Sequence, residues 1–234
     1  MSLKSCQTAY GPCKFYGKDE YIGRSLYVYG EWSGDECEKL ISLGSGLCLD
    51  IGANIGFMSM ALASRGPVIA FEPQEALFKL LVENTAGKSV ECYNVALGSA
   101  AGVAHMPRVR YGEKGNYGGV RIVSGGFGTI EVPMRTLDSF GLEGVGLIKI
   151  DVEGYELEVL KGAVETIERC SPILYVEDDL EHKSYALRKY IKETLGYKNI
   201  EEHKPQLFRE NNFNKYPSNV WDKSYESRNI ICSR

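Results

Sequence analysis

The fold of this chain is decided by one stretch, Leu47-Cys48-Leu49-Asp50-Ile51-Gly52-Ala53-Asn54-Ile55-Gly56-Phe57. An apolar run ends at an acidic residue, two glycines and an asparagine follow, and a helical pattern then begins. This order predicts a parallel strand, a tight loop and the first crossover helix of an α/β sheet. Gly52 and Gly56 have no Cβ, so the loop backbone can approach a ligand closely. Asn54 tolerates left-handed backbone better than most residues, and Asp50 is expected where the strand opens onto the crevice.

The spacing of this loop separates two kinds of cofactor. Asp-x-Gly-x-Asn-x-Gly resembles the first motif of Rossmann-like methyltransferases that use S-adenosylmethionine (AdoMet). A dinucleotide site needs Gly-x-Gly-x-x-Gly, whereas here Asn54 occupies the second glycine position and Gly56 follows two residues later. The loop therefore favours a ligand without a pyrophosphate. The competing interpretation is an ordinary strand-turn-helix whose glycines serve geometry alone.

Polar side chains also end the other predicted buried strands. These strands are predicted over 67–72, 89–97, 145–151 and 172–177, and their polar ends are Glu72, Asn94, Asp151 and Glu177. Ligands of open α/β sheets bind outside the carboxyl ends of the strands, so we expect these side chains to line one site. Glu72 is predicted to accept two hydrogen bonds from a ribose diol; alternatively, it is a helix-terminus anion favoured by the dipole.

The rest of the chain predicts helices around this sheet and strands added to it. Apolar periodicity predicts helices over 34–43, 73–86, 153–169 and 183–195. Alternation predicts antiparallel strands over 120–123 and 130–134, with weaker strands near 197–200 and 229–232. Residues 5–32 are rich in tyrosine and glycine and predict short strands or turns, which either form a lid over the acceptor or only pack on the core.

These elements predict a single domain over residues 1–234. Its parts are an N-terminal cap over 1–45, a core over 46–234 and an antiparallel insertion over about 101–134. The length suits one α/β domain with additions. No internal repeat and no linker suggests a second domain.

Composition excludes several classes of protein. Hydrophobic residues make up 44% and charged residues 25%, as expected of a globular protein, and the net charge of −4 argues against nucleic acid as a partner. No apolar run approaches the roughly 20 residues that span a bilayer, so no membrane partner is expected. The seven cysteines are odd in number and form no Cys-x-x-Cys, which predicts a reducing, cytoplasmic location.

Five blocks of the chain together resemble the FkbM family of AdoMet-dependent methyltransferases, which act mostly on hydroxyl oxygens. The blocks are Asp50-Ile-Gly-Ala-Asn-Ile-Gly, Phe71-Glu-Pro, Asn94-Val-Ala-Leu-Gly, Thr136-Leu-Asp138 and Lys149-Ile-Asp-Val-Glu-Gly154. The resemblance implies an α/β fold of the Rossmann-like class I methyltransferase type. Such a fold has a mostly parallel central sheet with helices on both faces, here with added antiparallel strands.

The resemblance also implies which residues meet the cofactor. AdoMet contacts are implied at Asp50, Gly52, Asn54, Glu72 and Asn94. The neighbouring positions Ala53, Gly56, Pro73, Val95 and Ala96 complete the predicted set, with Asp151 at its edge. Glu31 is a further candidate, because similar positions in the family often lie beside the cofactor.

Methyl transfer to a hydroxyl requires removal of a proton, so a general base is expected. The candidates are Asp151, Glu153, Glu177 and His182. Glu153 has an alternative role as a cap of the following helix, and His182 as a solvated residue at a helix start. Asp151 and Glu177 offer oxygen ligands for a divalent cation, although no metal site is assigned, and no His/Cys cluster favours zinc.

The leading functional prediction is O-methylation of a small molecule or a saccharide. N- or carboxyl-methylation of a small molecule or glycan is the alternative within the same class. A nicotinamide-dependent oxidoreductase and a non-catalytic AdoMet-binding module are the alternatives from other classes.

Overall fold

The computed structural model describes residues 3–221 and 227–234, and within them twelve β-strands and seven α-helices form. The strands are β1 (Leu3–Thr8), β2 (Gly11–Tyr16), β3 (Leu47–Ile51), β4 (Val68–Phe71), β5 (Val90–Tyr93), β6 (Ala96–Leu97), β7 (Gly102–Pro107), β8 (Thr129–Arg135), β9 (Val145–Ile150), β10 (Ile173–Glu177), β11 (Asn199–His203) and β12 (Asn229–Ser233). The helices are α1 (Ile22–Tyr29), α2 (Gly34–Leu43), α3 (Phe57–Leu62), α4 (Glu75–Asn84), α5 (Glu156–Lys161), α6 (Val164–Cys170) and α7 (Glu181–Lys189). A 3₁₀ turn covers Asp138–Phe140 and a π-helical turn covers Tyr190–Thr194.

The central sheet has seven strands in the order β11-β12-β10-β9-β3-β4-β5. Strands β10, β9, β3, β4 and β5 run parallel, and β12 lies antiparallel between β10 and β11. The chain builds outward from β3 to β5 and then returns to β9 on the other side of β3. The strand order therefore reverses between β3 and β9, where open α/β sheets bind ligands.

Helices cover both faces of this sheet because alternate residues of a strand point to opposite faces. On one face, Leu49 and Ile148 share a buried cluster with side chains of α5, α6 and α7, namely Leu160, Ile167 and Leu187. On the other face, Cys48 and Leu147 share a cluster with side chains of α1 to α4, namely Leu26, Leu40, Met60 and Leu80. The predicted fold class is thereby confirmed.

The helix predicted over 153–169 is wrong in its bounds, because two helices form there. A Cβ on Gly162 would lie 2.0 Å from the carbonyl oxygen of Gly98, so the backbones touch where α5 ends. The Asp138 carboxylate then accepts hydrogen bonds from the N–H groups of Glu165 (3.1 Å) and Thr166 (2.8 Å). These bonds satisfy the free amides at the start of α6 as a separate helix.

The antiparallel insertion differs from its prediction. Residues 120–123 form no strand, and Val123 makes only an isolated bridge to His105. Strand β8 is already paired on both edges, with β6 parallel and β7 antiparallel, so 120–123 meets only the outer edge of β7 through that single bridge. The strand predicted over 89–97 is also divided between two sheets, since β5 ends before Asn94 and β6 joins β8.

The N-terminal segment forms a hairpin, β1–β2, followed by a helix that sequence reasoning missed. The Asp19 carboxylate accepts hydrogen bonds from the N–H groups of Tyr21 (3.0 Å) and Gly23 (3.1 Å), which supports the start of α1.

Helix α2 and strand β12 match their predictions. Strand β11 begins at Asn199, two residues after the start predicted for it. Within the described residues, no helix is both long and apolar enough to cross a membrane.

Candidate active site

A cleft opens at the carboxyl ends of the central parallel strands, at the switch point of the sheet. Its empty volume is about 1270 Å³ with its open mouth included. Ten of the residues predicted for the site line it: Gly52, Ala53, Asn54, Glu72, Pro73, Val95, Ala96, Asp151, Glu153 and Glu177. We call residues 52–54 together with Glu72 the loop side, and Asp151, Glu153 and Glu177 the acidic side.

The loop between β3 and α3 has the backbone that its sequence predicts. Gly52, Asn54 and Gly56 all have positive φ, of 81°, 53° and 87°. A Cβ on Gly52 would lie 1.8 Å from the carbonyl oxygen of Asp151. Glycine is therefore required here because the ends of β3 and β9 approach each other, and not only because a ligand must approach the loop.

Glu72 is fixed on the cavity wall by the backbone around it. Its side chain accepts hydrogen bonds from the N–H groups of Asn54 (2.9 Å) and Gln74 (2.8 Å), and the residue is 4% exposed. Burial raises the pKa of Glu72 to about 7, against the opposing effect of these two hydrogen bonds. A carboxylate has about four acceptor positions, so two remain for a ligand.

Asp50 does not line the cavity, because its carboxylate is fully buried beneath it. One oxygen accepts a hydrogen bond from the Ser59 hydroxyl at 2.6 Å, and the other lies 3.1 Å from the Lys149 ammonium. Lys149 also lies 3.4 Å from an oxygen of Asp151. The predicted contact of Asp50 with the cofactor is thus replaced by an indirect role, in which Asp50 holds Lys149 under Asp151.

Lys149 itself was missed as a site residue. Burial lowers its pKa, but the charges of Asp50 and Asp151 more than offset that effect, so its pKa is raised overall. The available signal was a single charge inside the otherwise apolar strand β9, since a buried lysine needs a charged partner.

The acidic side brings three half-buried carboxylates together. One oxygen from each of Asp151, Glu153 and Glu177 lies within 4.8 Å of the others. Burial and then the charge of Asp151 raise the pKa of Glu153 to about 7. Burial, followed by the charges of Asp151 and Glu153, raises the pKa of Glu177 well above its usual range. Lys149 is paired with Asp151, so the three acids occupy unequal electrostatic surroundings.

The helix-capping alternative for Glu153 is wrong. The turn before α5 is instead held by Glu156, whose Oε1 accepts hydrogen bonds from the N–H groups of Val152 (3.3 Å) and Gly154 (2.7 Å). Glu153 has a φ of 57°, an uncommon conformation for a residue with a side chain, and it faces the cavity. Backbone strain of this kind is concentrated at functional sites.

Four other predicted residues also lie off the cavity wall. The Glu31 carboxylate is occupied by Arg209, with contacts of 2.6 and 2.9 Å that fasten the C-terminal segment to the N-terminal one. Asn94 donates hydrogen bonds to the carbonyl oxygens of Glu72 (2.8 Å) and Pro73 (3.0 Å) and so shapes the end of β4. Gly56 is the N-cap of α3. His182 is exposed on α7, so its predicted role as a base has no support in this geometry.

The remaining wall comes from regions for which no motif was recognised. The N-terminal segment contributes Tyr21, Ile22, Trp32 and Glu36, the insertion contributes residues between Asn116 and Ile122, and β12 contributes Asn229. Burial raises the pKa of Glu36 to about 7, while Lys149 opposes the shift. The N-terminal segment therefore forms part of the cavity wall as well as packing on the core.

The sheet order, the glycine loop at the switch point and the acid after the second parallel strand define a class I AdoMet-dependent methyltransferase. Comparison with known proteins supports this assignment to the methyltransferases. The family described as Methyltransferase FkbM domain matches residues 50–199, and the chain belongs to this family. Its cofactor is AdoMet.

Several known proteins are similar to this chain over part of their length. Methyltransferase sdnD of Sordaria araneosa is 29% identical over 178 residues, which are 59% of this chain and 69% of that protein. Hexuronic acid methyltransferase AglP of Haloferax volcanii is 29% identical over 123 residues, which are 51% of this chain and 50% of that protein. The crystal structure of Methyltransferase FkbM from Methylobacillus flagellatus KT has a TM-score of 0.54 at 18% identity and covers 80% of this chain and 43% of that one.

Proposed function

We propose that this methyltransferase acts on a hydroxyl oxygen of a small molecule or a saccharide. One observation carries the proposal: the Asp151 carboxylate lies in the cleft beyond β9 and is paired with the buried Lys149 at 3.4 Å. A carboxylate held in this way can orient a hydroxyl group and accept its proton.

The cofactor is proposed to lie along the loop side, whose residues fit AdoMet. Glu72 keeps acceptor positions for the two hydroxyls of a ribose, and the backbone of residues 52–54 lies open to the amino-acid part. Pro73, Val95 and Ala96 supply an apolar wall for the adenine. When bound, AdoMet supplies an electrophilic methyl group on a sulfonium.

The protein's own contribution is to position the acceptor and remove its proton. The cavity would hold the acceptor hydroxyl in line with the methyl group of the sulfonium, and Asp151 would accept the proton that the hydroxyl loses. Holding the reactants in line accounts for much of the acceleration that such a reaction needs. Glu153 and Glu177 are proposed to bind neighbouring polar groups of the acceptor.

The acceptor class is inferred from the charge and the rings of the cavity. Three carboxylates disfavour an acceptor that carries a carboxylate beside the methylated atom, because like charges repel. Tyr21 and Trp32 also line the cavity, and aromatic rings suit the apolar face of a sugar. The name of the relative AglP, a hexuronic acid methyltransferase, supports the saccharide class, but a hexuronic acid carries a carboxylate, so the name does not support the charge argument. An amine acceptor is the second candidate, since the acidic side would attract it as a cation.

An acceptor screen tests the proposal. The protein is incubated with AdoMet and matched panels of saccharides, other hydroxylated small molecules, amines and carboxylic acids, and release of S-adenosylhomocysteine is measured. The expected result is turnover with hydroxyl acceptors and loss of that turnover in Asp151→Asn. Turnover confined to amines or to carboxylic acids would overturn the O-methylation proposal. Binding of AdoMet without turnover on any panel would favour a non-catalytic module.

A further inference from the structure

We infer that Asp151, Glu153, Glu177 and Asn229 form a binding site for a hard divalent cation on the acidic side of the cavity. The three carboxylates come from one corner of the sheet. Asp151 follows β9, Glu153 lies in the turn after it, and Glu177 ends the neighbouring strand β10. All three line the same cavity, and none of them is fully exposed.

The spacing of the carboxylate oxygens suits a cation of this kind. One oxygen from each acid lies within 4.8 Å of the other two. Ligands at 2.3–2.6 Å on opposite sides of Ca²⁺ are about 4.6–5.2 Å apart, and those of the smaller Mg²⁺ are about 4.0–4.2 Å apart. Separations of no more than 4.8 Å between the carboxylate oxygens are compatible with the ligand spheres of both cations.

Asn229 provides a second, independent observation. It begins β12 and is the antiparallel partner of Glu177, so the two side chains are neighbours on one face of the sheet. The residue is 3% exposed and lines the same cavity, yet its side-chain nitrogen has no hydrogen-bond partner among the described residues. Buried amides are normally satisfied, so an orphaned one at a cavity wall points to a ligand.

The amide of Asn229 can present oxygen as well as nitrogen. Rotation by 180° exchanges the two atoms with little change in shape, and structures do not distinguish them directly. With its oxygen turned toward the acidic side, Asn229 would complete an all-oxygen set with the three carboxylates. Carboxylate and carbonyl oxygens are the ligands that Mg²⁺, Ca²⁺ and Mn²⁺ prefer.

The balance of charge favours a cation as the occupant. Lys149 already pairs with Asp50 and Asp151, and within the described part of the chain neither Glu153 nor Glu177 makes an ion pair. The exposed Arg121 of the insertion acts on Glu153 only as a more distant charge. A divalent cation would relieve the mutual repulsion of the three carboxylates and would leave coordination positions for an acceptor oxygen. Asp151 can bind the cation through one oxygen and keep the other for the proton of the acceptor.

Cation binding is measured on the whole chain without cofactor or acceptor, so its outcome does not depend on the proposed O-methylation. Chelator-treated protein is titrated with MgCl₂, MnCl₂ and CaCl₂ to about 10 mM by calorimetry, and melting temperature is recorded in parallel. We expect one saturable site for at least one cation, accompanied by a higher melting temperature. No saturable binding of any of the three would overturn the inference.

Two carboxylate variants and one control locate the site. Glu177→Gln and Glu153→Gln keep the side-chain shape and should each weaken cation binding about 10–100-fold or more. Without cation they should melt no lower than the unmodified protein, because each removes one of the repelling charges. Glu168→Gln, an exposed acid on α6, should change neither quantity. Cation affinity equal in Glu177→Gln and Glu168→Gln would overturn the inference.

Asn229→Leu tests the amide separately. Leucine has a similar size and removes both amide atoms, so cation affinity should fall about tenfold or more if the carbonyl oxygen is a ligand. Unchanged cation affinity in a folded Asn229→Leu protein would overturn the inclusion of Asn229. In that case the orphaned nitrogen would be assigned to the acceptor.

Discussion

The two sides of the cavity treat their carboxylates in opposite ways. On the loop side, Glu72 stands alone and backbone N–H groups bind both of its oxygens, at 2.9 and 2.8 Å. On the acidic side, three carboxylates face one another, and the ion pair with Lys149 reaches only Asp151. The Glu72 carboxylate is therefore held in place by the backbone and keeps acceptor positions for a ligand, whereas among the described residues neither Glu153 nor Glu177 has an ion-pair partner. We expect mutations on the two sides to separate cofactor binding from turnover.

The largest expected effect lies on the acidic side. Asp151→Asn keeps the shape of the side chain but removes its charge and its ability to accept a proton. Loss of a general base typically costs about 10²–10⁴-fold in rate. Turnover with the acceptor found by screening should fall by that factor, while AdoMet affinity measured by calorimetry stays within about twofold of the original.

The alternative is that Asp151 serves only the stability of the turn before α5. That role predicts a lower melting temperature with near-normal turnover in the folded fraction. Glu156 already binds the N–H groups of this turn, which argues against it. Measuring melting temperature and turnover on one preparation separates the two outcomes, and Glu168→Gln serves as the unaffected control.

The next largest effect concerns the buried ammonium group of Lys149, which lies between Asp50 and Asp151. Lys149→Met keeps much of the volume of the side chain and leaves Asp50 buried without its ion-pair partner. Breaking a buried pair in this way typically costs about 3–5 kcal/mol in the free energy of unfolding, which urea titration measures. Adding Asp50→Asn should recover part of the loss. If the double variant is no more stable than Lys149→Met, the pair does not provide this stability.

Much of the loop side was predictable because its signals are local. The loop from Asp50 to Gly56 and the acid at Glu72 follow buried strands directly, so the strand pattern alone places them at one edge of the sheet. The positive φ of Asn54 is likewise a property of the tight turn that contains it. The division into a cap over 1–45 and a core over 46–234 stays a prediction.

The rest of the cavity could not be predicted because distant parts of the chain meet there. Asn229 reaches the wall through pairing of β12 with β10, and Glu36 does so from α2. Residues 120–123 alternate like a strand, but they pair with the edge strand β7 only through the bridge of Val123 to His105. Glu31 has the residue type expected beside a cofactor, yet it is taken by Arg209 from the other end of the chain.

A smaller effect is expected on the loop side. Glu72→Gln removes the charge and leaves one oxygen where two accepted hydrogen bonds from Asn54 and Gln74. A hydrogen bond to a charged group contributes about 1.5–3 kcal/mol, so AdoMet affinity should fall by roughly 10–150-fold. Calorimetry measures the change, with the exposed Glu75→Gln as a matched control. An affinity equal to that of the control would remove Glu72 from the cofactor site.

The smallest effect is the dependence of cofactor affinity on pH, and it follows from the same carboxyl group. Burial raises the pKa of Glu72 to about 7, and the ionised form is the better acceptor for ribose hydroxyls. The ionised fraction rises about tenfold between pH 6 and 8, so AdoMet affinity should rise by up to about tenfold over that range. The free energy of unfolding should instead fall as the pH rises. Because the folded protein binds the proton more tightly than the unfolded chain, this group stabilises the fold below its unfolded pKa, and that contribution is lost as the pH rises through about 7. Calorimetry and urea unfolding at matched pH values should therefore give opposite slopes in the original protein, and Glu72→Gln should flatten both. If Glu72→Gln keeps the original slopes, another buried acid of the cavity, with Glu36 the first to test, is the titrating group.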